Sequence, residues 1–97
     1  MGGENINPEI SVVVPVFNEE DNIVAFVNRL TPVLKEIGTY EVIFAMDPGN
    51  DRTEEILIIV STGNPNIKYL KLSRRFGQPA ATMAGIYYSV GRYVVVI

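Results

Sequence analysis

Short apolar runs alternate along the chain with longer segments in which apolar residues recur every three or four positions. Residues 10–17 (ISVVVPVF) are Val-rich and apolar on both faces, as befits a strand buried inside a parallel sheet. Pro15 removes a donor from the ladder, so regular pairing is expected to stop near it. Asn18 is placed to cap a helix with Glu19, Glu20 and Asp21 in its first turn. Its apolar stripe reads Ile23, Phe26, Val27, Leu30, Leu34 and Ile37. Pro32 lies inside this helix and is expected to kink or locally break it, and Gly38 to end it as a left-handed cap.

The alternation repeats. Residues 40–46 (YEVIFAM) read as a second strand, and Asp47-Pro48-Gly49-Asn50 as dense turn chemistry. Asp51 and Glu54 have capping-box spacing before a helix through Ile56, Leu57, Ile59 and Val60, which Gly63-Asn64-Pro65-Asn66 stops. Residues 67–73 form a third strand and residues 74–78 a loop. Pro79 suits the first position of a third helix, expected to run from Ala80 to Val90 until Gly91, and residues 93–97 (YVVVI) are a fourth strand. This β-α-β-α-β-α-β order predicts an α/β fold: an open, mostly parallel sheet with right-handed crossovers and helices on both faces. Ligands bind such sheets beyond the carboxyl ends of the strands. Those ends carry Phe17-Asn18-Glu19, Met46-Asp47-Pro48 and Ser73-Arg74-Arg75.

Composition narrows the chemistry. The 97 residues are 47% hydrophobic and 20% charged, enough apolar content for one small folded domain. Cysteine and histidine are both absent. That excludes disulfides, thiolate or imidazole metal sites, and Ser-His-Asp catalysis. The net charge of −3 hides an asymmetry: all eleven acids lie in residues 1–55, whereas residues 56–97 hold Lys68, Lys71, Arg74, Arg75 and Arg92 with no acid. Acids such as Glu19, Glu54 and Glu55 suit helix N-termini, and the basic half suits phosphates or an anionic membrane. No nucleic-acid motif is present, so nucleic acid is not an expected partner. There is no run long enough for a membrane span and no signal-peptide pattern, and the chain reads as cytoplasmic. Residues 1–9 read as a disordered or artificially added N-terminus.

The glycine signatures of dinucleotide-binding and P-loop proteins are missing. A receiver domain would need a lone Asp ending its third strand, where this chain has Ser73. What remains is three strings, SVVVPVFNEEDNI, VIFAMDPGNDRTEEI and LSRRFGQPAATMAGI. In that order and spacing the chain resembles the first half of a GT-A glycosyltransferase of family 2. The similarity is greater to the polyprenyl-phosphate branch, which includes dolichol-phosphate mannosyltransferases and undecaprenyl-phosphate glucosyltransferases.

The resemblance implies strand order 3-2-1-4 and a nucleotide-sugar-binding half in residues 10–97. It makes Asp47 the acceptor for a nucleobase N–H, a task that suits a fixed carboxylate. It has Pro15 and Phe17 holding the base, Ala45 lying against it, Glu19 accepting from ribose hydroxyls, and Asn18 capping the helix while shaping the rim. Arg74 and Arg75 are candidates for phosphate, which guanidinium matches bidentately. Gln78 and Pro79 are expected to set the helix start, and Tyr87, Tyr88 and Tyr93 to pack. Met46 departs from the family's pair of acids at the end of the second strand.

The family's Asp-x-Asp motif, which binds Mg²⁺ or Mn²⁺, would begin at Ile97, so the chain itself is expected to hold neither metal ligands nor catalytic residues. The parent enzyme would be a hexosyltransferase. It would move a hexose, from UDP-glucose in preference to GDP-mannose, to a polyprenyl phosphate at the cytoplasmic membrane face. These 97 residues alone are expected to be inactive. The alternative is a non-catalytic nucleotide-binding or protein-interaction module using the same fold. A bare fourth strand at the sheet edge also predicts self-association.

Overall fold

The computed structural model describes residues 7–97. The rest of the expected disordered or added N-terminus, residues 1–6, lies outside the described residues. The elements run β1 (Ile10–Val16), α1 (Ile23–Ile37), β2 (Tyr40–Met46), α2 (Thr53–Gly63), β3 (Ile67–Lys71), α3 (Gln78–Tyr88) and β4 (Tyr93–Val96). All strand pairs are parallel and the order is β3-β2-β1-β4, as expected. Two bonds extend the sheet upstream of Ile10, from Arg92 N–H to Pro8 and from Tyr93 N–H to Glu9.

β2 is buried along its whole length, which is why it reads as an unbroken apolar run. Its even positions, Val42, Phe44 and Met46, share one face with Val12, Val14, Val16 and Ile67. Ile23 and Leu34 of α1 and Leu57 of α2 close this face into the main core, with Phe26 edge-on to Phe44 at 6.2 Å. The odd positions face α3, which lies close because its contact residues are Ala81 and Gly85. A Cβ on Gly85 would overlap the side chain of Val13 and sit 3.5 Å from the Ala45 Cβ.

Several local expectations give way to tertiary constraints. Pairing does not stop at Pro15, which sits in register with Ala45, followed by Val16 with Met46. The Val13 carbonyl accepts from Ile97 and the Val16 carbonyl from Asp47, so alternate residues address β4 and β2. Pro15 therefore turns its missing donor toward the β4 side, past the last β1–β4 partners, Val13 and Val96. α1 continues through Pro32. The carbonyl deprived of a partner there belongs to Asn28, an exposed residue that water can serve. Gly38 ends α1 at φ 155° and ψ −155°, a glycine conformation but not the left-handed cap expected. β3 stops at Lys71, although Leu72 N–H still reaches the Met46 carbonyl. α3 stops at Tyr88, short of Val90.

The amino end of β2 carries a buried carboxylate. Glu41 accepts from the Ser11 hydroxyl at 2.5 Å, the Val90 N–H at 2.8 Å and the Lys68 ammonium at 2.8 Å. Burial pushes its carboxyl up, but the hydrogen bonds from Lys68, Ser11 and Val90, with the Lys68 charge, outweigh that and hold it below its ordinary value near 4.5. A carboxylate depressed in the folded state stabilises above its ordinary value, and the benefit is lost as pH falls through the lowered one. Glu41→Ala is expected to cost about 2–4 kcal/mol in urea unfolding, because the Ser11 and Val90 donors lose their acceptor. Glu41→Gln should flatten the loss of stability seen on acidifying the wild type from pH 6 to pH 3.

Candidate functional site

The carboxyl ends of β1, β2 and β3 meet the start of α3 around a cavity of about 270 Å³. Its walls include Pro15, Phe17 and Glu19 from the end of β1, Asp47 from the end of β2, and Arg75, Gly77 and Gln78 from the β3–α3 connection. Two larger hollows of about 480 Å³ lie beside Glu41 at the amino end and between α3 and β3, and neither gathers the strand-end residues.

Asp47 follows Met46, so the pleat turns its side chain to the α3 face while Met46 enters the opposite core. The acid missing from position 46 would have pointed into that apolar layer, away from the cavity. Asp47 is only 3% exposed. Its two oxygens accept from Phe76 N–H at 3.1 Å and Gly77 N–H at 2.9 Å. It therefore bonds the backbone of a segment about thirty residues downstream, rather than its own turn. This holds the β3–α3 loop over the end of β2. Arg75 on that loop lays its guanidinium 3.9 Å from the centre of the Phe17 ring, a cation–π contact across the mouth of the site.

The loops after β1 and β2 are laced together. Asn50 N–H donates to Asn18 Oδ1 at 3.1 Å, Glu19 N–H to the Thr53 hydroxyl at 2.8 Å and Glu20 N–H to Asp51 Oδ2 at 3.2 Å. Arg52 N–H returns a bond to Glu20 Oε1 at 3.0 Å. Burial raises the Asp51 carboxyl, but hydrogen bonds from the Thr53 hydroxyl and N–H and from Glu20 N–H outweigh it and hold it below the ordinary range.

This lacing overturns two capping expectations. Asn18 caps no helix: α1 begins at Ile23 after a turn over Glu20–Asn22, and none of the acids stands in its first turn. The amides of Glu19 and Glu20 are satisfied by the neighbouring loop instead. Asp51 and Glu54 form no capping box. Asp51 accepts from Thr53 N–H two residues on, and Glu54 pairs with Lys71 at 3.0 Å.

Of the residues singled out by sequence, Pro15, Phe17, Glu19, Asp47 and Arg75 line one cavity. Ala45 does not: it is fully buried in the layer beneath α3, which the pleat dictates for a residue two before Asp47. Asn18 lies on the rim with its side chain turned to Asn50, and Arg74 stacks over Phe76 with its guanidinium 4.8 Å from the ring centre. Gln78, assigned by sequence to the helix start, both opens α3 and lines the cavity. Thr53 and the Phe76 and Gly77 amides, which organise the site, carried no signal, because their partners are remote in sequence. Among the described residues no group of three or more carboxylate, imidazole or thiolate side chains is arranged to hold a metal ion such as Mg²⁺ or Mn²⁺. No helix among them is long and apolar enough to cross a membrane.

Comparison with known proteins places the chain among glycosyltransferases. The chain is 42% identical over 90 residues to an uncharacterized glycosyltransferase of Synechocystis, covering 92% of this chain and 28% of that protein. It is 36% identical over 91 residues to the bactoprenol glucosyl transferase of Shigella phage SfX, covering 92% of this chain and 30% of that one. It thus spans less than a third of the length of these relatives. Among solved structures, S. aureus TarS superposes with a TM-score of 0.75 at 24% identity, over 92% of this chain and 16% of that chain, a likeness of fold. The model of glycosyl transferase family 2 matches residues 11–97, a span that holds all four strands apart from Ile10 and every residue of the strand-end cavity. On that match, the chain belongs to glycosyl transferase family 2.

Proposed function

We propose that residues 10–97 are the nucleotide-binding portion of a hexosyltransferase that uses a nucleotide-sugar donor and a polyprenyl-phosphate acceptor. The observation that carries this reading is the cavity that brings Pro15, Phe17, Glu19, Asp47 and Arg75 together at the carboxyl ends of the strands. Its volume lies just under the ~300–1,000 Å³ of small-molecule sites, which suits a nucleoside better than an entire nucleotide-sugar.

Asp47 is the base-recognising group. Each carboxylate oxygen has a lone pair left after the Phe76 and Gly77 bonds, and the imide N–H of uracil is a matching donor. Pro15 and Phe17 bound the base, and Glu19 accepts from the ribose hydroxyls. Arg75 faces the diphosphate from its place over Phe17, with Arg74 as an outer cation. UDP-glucose is the preferred donor and GDP-mannose the second choice. The name of the bactoprenol glucosyl transferase relative supports both a glucosyl donor and a polyprenyl acceptor. Sugar transfer proceeds by attack of an acceptor phosphate oxygen on the anomeric carbon, with inversion and loss of the nucleoside diphosphate. The Mg²⁺ or Mn²⁺ of the parent enzyme belongs to residues beyond Ile97, and the parent works at the cytoplasmic membrane face.

Calorimetric titration is expected to show weak binding of UDP, weaker binding of GDP, and at least a tenfold loss of UDP affinity in Asp47→Ala, as for loss of a charged hydrogen bond of about 1.5–3 kcal/mol. The same substitution should speed amide hydrogen exchange at Phe76 and Gly77. UDP affinity unchanged by Asp47→Ala would remove Asp47 from the base site. A radiolabelled-sugar assay should find no transfer by the 97-residue chain, and turnover by the chain would contradict its assignment as the nucleotide-binding portion alone.

The sheet edge supports a separate proposal. All of β4 is exposed, and Val94 and Val96 turn their backbone groups away from β1. Such an edge pairs readily with another strand. Sedimentation should show self-association that rises with concentration. Val94→Pro, which removes an outward N–H and leaves the β1 ladder intact, should suppress it, and a monomer at high concentration in the wild type would refute it.

A further inference from the structure

We infer that Asn18 is the positioning residue of this site, holding Phe17 and Glu19 at a set distance from Asp47. The inference rests on the nucleotide-site reading above and adds to it a residue that does not line the cavity. Asn18 is the non-glycine residue with positive φ among the described residues, at 51°. That left-handed conformation reverses the chain between the end of β1 and the turn before α1. Asparagine tolerates it because its short amide can bond locally.

The side chain does not serve its own turn, however. Its Oδ1 crosses to Asn50 N–H, and the place where Gly49 would carry a Cβ is filled by the Asn18 amide. The Phe17 ring stands against the same spot, with its Cε1 3.4 Å from that notional Cβ. Asn18 thus sets the turn and makes the tie nearest Phe17 between the loop carrying Phe17 and Glu19 and the loop that begins at Asp47, ahead of the Glu19–Thr53 and Glu20–Asp51 bonds further along. Glycine at position 49 is the counterpart of this contact, since a Cβ there would displace the Asn18 amide that bonds Asn50. The strand ladder carries the register as far as the Asp47 N–H on the Val16 carbonyl, and Phe17, Asn18 and Glu19 lie beyond it, so their spacing needs a further tie.

The stacking of Arg75 on Phe17 provides a readout that needs no nucleotide. Ring currents from Phe17 displace the NMR resonances of the Arg75 side chain as long as Phe17 keeps its place. The test is an allelic series in the 97-residue chain, Asn18→Asp, Asn18→Gly and Asn18→Ala, with the Arg75 shifts and UDP titration measured on each. Asn18→Asp keeps both an acceptor and tolerance of positive φ, and should retain the displaced Arg75 resonances. Asn18→Gly keeps the backbone turn but loses the acceptor. It should shift Arg75 part of the way to its random-coil position and weaken UDP by about threefold, near the lower end for one hydrogen bond. Asn18→Ala loses both and should abolish the displacement, with about tenfold weaker UDP binding. If Asn18→Ala proves unfolded, Asn18→Gly decides the matter. Arg75 resonances unmoved in Asn18→Gly and Asn18→Ala would overturn the inference. Should the wild type bind no UDP, the nucleotide reading fails while the Arg75 series still decides the positioning role.

Discussion

Two buried carboxylates, one at each end of β2, hold α3 onto the sheet. Glu41 and Asp47 are six residues apart, so the pleat places both on the same face and separates them by roughly 20 Å. α3 spans eleven residues, about 16 Å of helix, and lies between them. Asp47 takes the amides of Phe76 and Gly77 just before the helix, and Glu41 takes that of Val90 just after it. Burying a charge is costly unless hydrogen bonds meet it. Backbone amides meet it at Asp47, and at Glu41 the Val90 amide shares the task with Ser11 and Lys68, so bonds that satisfy the carboxylates also fix the position of the helix and its loops.

The arrangement divides the labour between the ends of the sheet. At the amino end, Glu41 is closed off by Ser11, Lys68 and Val90, and its chemistry is spent on the fold. At the carboxyl end, Asp47 keeps spare lone pairs beside an open cavity. Placing the ligand there follows the general behaviour of open α/β sheets, where helices and loops diverge beyond the strand ends. The apolar core on the α1–α2 face supplies most of the burial, and α3, with its small contact residues, brings the polar loop to the site.

The charge asymmetry of the chain looks different once folded. Lys68 and Lys71 cross to Glu41 and Glu54 of the acidic half, while Arg74, Arg75 and Arg92 lie over Phe76, Phe17 and Tyr93. A basic half that stands unopposed in sequence is therefore partly engaged, and Arg75 is the member of it that lines the strand-end cavity. The prolines tell a similar story. Pro15 and Pro32 read as breaks because a lost N–H is a local fact, whereas its cost depends on what the missing donor would have faced.

Seven elements, their order and the strand-end position of Asp47 were legible from periodicity and turn chemistry, since these depend on residues near one another in the chain. So was the family, because three strings in register carry more information than any one alone. Legible to a lesser degree were the element ends: the caps assigned to Asn18 and to the Asp51–Glu54 pair went to loop-to-loop bonds. Only the tertiary structure decided that Ala45 lies beneath α3, that Arg75 rather than Arg74 reaches the cavity, and that the Asn18 side chain bonds across to Asn50. The physical reason is common to all three. Each is set by a partner about thirty or more residues away, Gly85 for Ala45, Phe17 for Arg75 and Asn50 for Asn18, and local pattern carries no information on which distant group the folded sheet brings into contact.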